Sequence, residues 1–151
     1  MNSFQELAQS IDWTSLAHAL LRVIGVFLCL TVHETCHGLA AYALGDPTAK
    51  RERRLSLNPL HHIDWFGLAA MLLVGFGWAK PVPVDMRYFK KPKQGMALTA
   101  LAGPVSNLLL SVLLLFAARL VLEHYVDTAL CAGALDFLLM TAYMGIGLGL
   151  F

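Results

Sequence analysis

Charge is the first thing this chain is short of: Asp, Glu, Lys and Arg make up 14% of its 151 residues, while 58% are hydrophobic and the mean hydropathy is +0.63. A soluble domain carries about 25% charged and 45–50% apolar residues, so the balance excludes a soluble enzyme and implies an integral membrane protein. A formal net charge of +1 supplies no broad basic surface, and no nucleic-acid partner is expected. Cysteine is scarce too. Cys29, Cys36 and Cys131 are odd in number and lie in apolar stretches, which argues for buried thiols and against a disulfide scaffold. Met1 to Ser15 lacks both a basic leader and a small-residue cleavage site, so it does not read as a signal peptide. The chain also lacks the internal repeat that transporters with paired broken helices tend to show.

What is present is Val32-His33-Glu34-Thr35-Cys36-His37-Gly38, set in an apolar stretch. On a helix, residues four apart lie one above the other, so His33 and His37 can direct a ring nitrogen each at one metal ion. In the H-E-x-x-H pattern the intervening acid, Glu34, acts as general base and does not ligate the metal. Val23 to Leu44 is long enough to span a bilayer and holds no other charged or histidine side chain. Ionisable groups at such depth cost roughly 2.5–3.5 kcal/mol each, which makes this cluster functional by default. Cys36, next to His37, points about 100° away from it and is read as packing.

Around this box the expected architecture is an all-α membrane protein forming one domain over residues 1–151. It has about three transmembrane helices, with a re-entrant, partly extended hairpin between the first and second. Residues 1–15 read as an interfacial amphipathic helix through Phe4, Leu7, Ile11 and Trp13. The first span is placed at 16–44, stopped by Gly45-Asp46-Pro47. A polar loop follows at 48–64, where Arg54 to Leu57 permits a short strand that Pro59 ends, and where His61 and His62 read as an interfacial polar pair. Residues 65–84 are apolar but broken by Gly67, Gly75, Gly77, Pro81 and Pro83. Such backbone is tolerated at membrane depth only inside protein or against a wet cavity, hence the re-entrant reading. Its last part, Lys80 to Val84, is either an extended edge on which an unwound substrate can pair or a loop covering the bundle. The second span is placed at 96–122 and the third at 129–151. In the second, Ala102-Gly103-Pro104 allows close helix approach and Asn107 is read as helix-to-helix glue. In the third, Asp136 is the only charge.

Nine of the eleven Lys and Arg residues lie between Leu44 and Met96. By the positive-inside rule that side is cytoplasmic and the N-terminus outside. His33, eleven residues before Leu44, would then lie roughly 15 Å below the cytoplasmic end of its helix.

The chain resembles the site-2 protease family of intramembrane zinc metalloproteases, in its compact branch without a PDZ domain. The resemblance rests on His33-Glu34-Thr35-Cys36-His37-Gly38, Gly45-Asp46-Pro47-Thr48-Ala49-Lys50, Ser56-Leu57-Asn58-Pro59-Leu60 with His62-Ile63-Asp64, Gly77 to Val84, and Ala102-Gly103-Pro104-Val105-Ser106-Asn107, in family order. It implies one zinc ion held by His33 and His37, Glu34 as the catalytic base, and transmembrane protein segments as substrates, in a bacterial inner or cell membrane with the active site facing the cytoplasm. It also implies a third ligand, an aspartate in a Leu-Asp-Gly motif on a later helix, which is not found up to Phe151. Asp136 lacks the Pro and Gly that flank that aspartate and is not assigned the role. The sequence is therefore expected to be a C-terminally truncated form, to be completed by another chain or a second copy, or to be a catalytically incomplete membrane fragment with a regulatory or metal-binding role.

Overall fold

The computed structural model describes residues 12–74, 80–124 and 128–150. Three long helices carry it: α1 (Trp13–Ala43), α4 (Pro92–Glu123) and α5 (Ala129–Leu150), with the short helices α2 (Thr48–Arg51) and α3 (Trp65–Val74) between α1 and α4. Each of the three long helices is long and apolar enough to cross a membrane, so the all-α membrane architecture expected from composition is the one observed. The spans begin and end within four residues of their expected limits, the largest difference arising because Pro92 occupies the first turn of α4. Most of the expected interfacial helix at 1–15 lies outside the described residues.

The three helices pack against one another through small and hydroxyl side chains, because in lipid nothing but close contact and hydrogen bonding favours association. On α4 the buried residues Gly95, Thr99, Gly103, Asn107 and Ser111 recur every fourth position, a seam that runs along one face. Ser111 receives Gly145 of α5, while the Cys29 thiol on α1 meets the Thr141 carbonyl at 3.6 Å. The leucines on the rest of α4, Leu101, Leu109 and Leu113 among them, stay exposed, as a lipid-facing surface requires.

At the end of α1, Gly45 adopts φ +106° and lets Asp46 N–H return to the Ala41 carbonyl (2.9 Å) and Gly45 N–H to Tyr42 (3.1 Å). This left-handed stop satisfies the last carbonyls, and a side chain at position 45 would be strained. The same geometry closes α2 with Arg53 (φ 55°) in the left-handed position. Helix α3, capped by the Asp64 carboxylate on Phe66 N–H (2.9 Å), is ten residues long. At 1.5 Å per residue it reaches about 15 Å, half of a bilayer core. The turn of the expected hairpin, 75–79, lies outside the described residues, and residues 80–85 form no regular element, with Asp85 in extended geometry (φ -113°, ψ 106°).

Two expectations for the polar loop are corrected. Among the described residues there is no strand: Arg54 to Leu57 is irregular, because the Ser56 carbonyl is taken by the Thr35 hydroxyl (2.9 Å) and by His62 Nε2–H (2.8 Å) rather than by a ladder. His61 and His62 are not an interfacial pair either. His61 is exposed, whereas His62 is 3% exposed and ties the loop to α1 through Ser56 and Thr35.

Candidate metal centre

Helical spacing stacks His33 and His37 on one face of α1, with ring centroids 4.6 Å apart and planes at 82°. Both rings lie over Gly103 of α4. A β-carbon there would sit 2.6 Å from His33 Nε2, and His37 Nε2 would be closer still. The missing side chain leaves the two Nε2 atoms converging on one spot.

The opposite ring nitrogens are held by the same seam. His37 Nδ1–H donates to the Thr99 carbonyl (2.6 Å), and because a carbonyl can only accept, the proton of the neutral ring is on Nδ1 and Nε2 keeps its lone pair. His33 Nδ1 meets the Asn107 amide nitrogen at 3.1 Å, with Asn107 fully buried. Asn107, read from sequence as glue between helices, does join α4 to α1, and its partner there is one of the two imidazoles. The signal that could have found it is its place in the four-residue repeat with Thr99 and Gly103.

Glu34 lies between the two histidines in sequence and is half-buried. Its Oε2 accepts the Val82 N–H at 2.9 Å, while Oε1 has no hydrogen bond among the described residues. The segment 80–85 therefore runs beside the acid of the box. Its placement is fixed at both ends. Asp46, fully buried, accepts from Thr48 N–H (2.9 Å), from the Thr48 hydroxyl and from Asp85 N–H (2.7 Å). Burial alone would raise the Asp46 pKa, but these hydrogen bonds outweigh it and hold the carboxyl below the ordinary carboxylate range. At the other end the Arg54 guanidinium donates to the carbonyls of His61, Lys80 (2.8 Å) and Pro81 (3.0 Å), and Lys80 N–H donates to the His62 carbonyl (2.9 Å). Gly38, which closes the box, completes the contact: a β-carbon there would lie 3.1 Å from Val82 and 3.3 Å from Ala49.

Asp136 lies elsewhere. Its carboxylate is 3.3 Å from His18 Nδ1, fifteen residues before His33 on α1 and so about 22 Å along the helix from it. Among the described residues no group of three or more His, Cys, Asp or Glu side chains is placed to hold a metal ion. The residues present thus fit a zinc ion in part: two imidazoles with convergent Nε2 atoms and hydrogen-bonded Nδ1 atoms, one protein ligand fewer than catalytic zinc takes.

Curated sequences similar to this chain include two bacterial proteins named for zinc proteolysis. "Putative zinc metalloprotease YwhC" of Bacillus subtilis (strain 168) is 49% identical over 102 residues, covering 68% of this chain and 46% of its own length. "Putative zinc metalloprotease Rip2" of Mycolicibacterium smegmatis (strain ATCC 700084 / mc(2)155) is 30% identical over 105 residues, 66% of this chain and 40% of its own length. The chain spans less than half the length of these curated relatives. No family model matches it, and no solved structure matches it.

Proposed function

We propose that this chain carries the catalytic half of a site-2-type intramembrane zinc endopeptidase that cuts transmembrane protein segments on the cytoplasmic side of a bacterial membrane. The observation that carries the reading is the convergence of His33 and His37 Nε2 on Gly103, within a membrane-spanning helix, with Glu34 beside them. Relatives named as zinc metalloproteases support the metal and the reaction class.

His33 and His37 would hold the zinc, and a third ligand would come from outside the described residues. When bound, zinc supplies Lewis acidity toward a peptide carbonyl and toward water. The chain's own contribution is to place and protonate. Thr99 fixes the His37 tautomer; Asn107 would do the same for His33 with its amide oxygen turned to Nδ1–H, the orientation that ligation through Nε2 requires. Val82 N–H holds one oxygen of Glu34, so that the other can accept a proton from the attacking water and deliver it to the leaving amine. A helical substrate hides its carbonyls in hydrogen bonds and must unwind before attack. The backbone at 80–84, which reaches Glu34 through Val82 N–H, is where such a strand would pair.

Glu34→Gln tests the assignment. In protein that cleaves a membrane-embedded reporter, the variant is expected to keep its zinc and lose cleavage by about 10²-fold or more. Cleavage at the parental rate would refute it.

A further inference from the structure

A second feature owes nothing to the histidines. Beside the polar loop lies a cavity of about 440 Å³ lined by Arg53, Arg54 and Lys80, with His61 next to them and Glu52 as its single acid. Arg54 is 7% exposed and has no carboxylate within ion-pair distance among the described residues. Its three hydrogen bonds to carbonyls leave two of the five guanidinium N–H groups without a protein acceptor. A buried cation without a counter-charge is costly, so the site is electrostatically incomplete as the described residues build it. The lip of the same cavity is apolar: Trp65 is 69% exposed and Leu60 62%, and Phe66 beside Trp65 is 83% exposed. A large exposed tryptophan at the start of a ten-residue apolar helix fits the headgroup level of the bilayer.

We infer that this cavity binds the phosphate of an anionic membrane lipid, with Arg53, Arg54 and Lys80 on the phosphate and the acyl chains lying over Leu60, Trp65 and Phe66. A free phosphate would use the same cations but would leave the exposed aromatic lip without a role, which is why the lipid is the occupant assigned. Bound there, the lipid bridges α2, the loop and the strand-like segment that reaches Glu34, because Lys80 belongs to that segment.

Native mass spectrometry of the detergent-solubilised chain, titrated with dioleoylphosphatidylglycerol, dioleoylphosphatidylcholine or inorganic phosphate, tests this. One phosphatidylglycerol is expected to bind more tightly than either of the other two. A surface-level cation contributes about fivefold each, so Arg53→Gln with Lys80→Gln is expected to weaken it about 25-fold, both side chains being exposed and free to change without unfolding the loop. Lys90→Gln with Lys93→Gln, the same loss of charge on the same side of the membrane, is expected to leave it within about twofold. Equal weakening by the two pairs, equal binding of phosphatidylcholine, or inorganic phosphate binding as tightly as the lipid would overturn the proposal.

Discussion

Replacing Gly103 by alanine adds a single methyl group and asks whether the imidazole pair depends on the space left at that residue. The added carbon would come within 2.6 Å of His33 Nε2 and of His37 Cε1. Real β-carbons do not tolerate such contacts, so either α1 and α4 move apart along the Gly95 to Ser111 seam or both rings rotate off their Thr99 and Asn107 partners. Overpacking of this kind costs roughly 1–3 kcal/mol. Gly133→Ala is the matched control: the same change, also in a helix, with nothing within 4 Å of the new carbon. There alanine should stabilise by about 0.5–1 kcal/mol through helix propensity alone. The assay is thermal unfolding in detergent with zinc measured on the folded fraction. Gly103→Ala is expected to lose both stability and zinc while Gly133→Ala loses neither. A Gly103→Ala protein with parental zinc content and melting temperature would show that the two Nε2 atoms do not need this space.

Other perturbations address separate parts of the account. Asn107→Leu removes the group behind His33 and should weaken zinc affinity by about 10- to 100-fold, measured by competition with a chelating dye, with the helices still folded by circular dichroism. Arg54→Leu strips the carbonyls of His61, Lys80 and Pro81 of their donor and should cost about 3 kcal/mol, seen as faster proteolysis at 80–85. Asp46 is stabilised in its ionised form, so its contribution is present above the ordinary carboxylate range and is lost only as pH falls through its lowered folded-state value. Asp46→Asn should therefore cost roughly 1–3 kcal/mol at neutral pH and flatten the acid limb of the unfolding curve below about pH 3.9. Asp136→Asn, at an exposed pair with His18, should change stability by less than about 1 kcal/mol and leave zinc content untouched.

Much of this arrangement is legible in the residues themselves. Hydropathy and length locate three spans because a bilayer leaves few alternatives, and the four-residue offset of His33 and His37 can mean only one helix face. What sequence reading does not reach are contacts set by long-range packing. His62 looks like half of a surface pair until Thr35 and the Ser56 carbonyl enclose it, and Arg54 looks like one more loop cation until three carbonyls converge on it. Asn107 is ambiguous for the same reason: a polar residue in an apolar helix needs a partner, and only the register of α4 against α1 says that the partner is a ring nitrogen. Periodicity also cannot foresee that Gly103 leaves room for two side chains of another helix.

In the proposed function His33 and His37 grip zinc inside the membrane. Zinc K-edge X-ray absorption on the metal-loaded protein measures it directly. Imidazole scattering from two nitrogens at about 2.0–2.1 Å is predicted, falling away when both residues are changed to alanine. A spectrum without imidazole scattering, or one unchanged by the double substitution, would contradict the account.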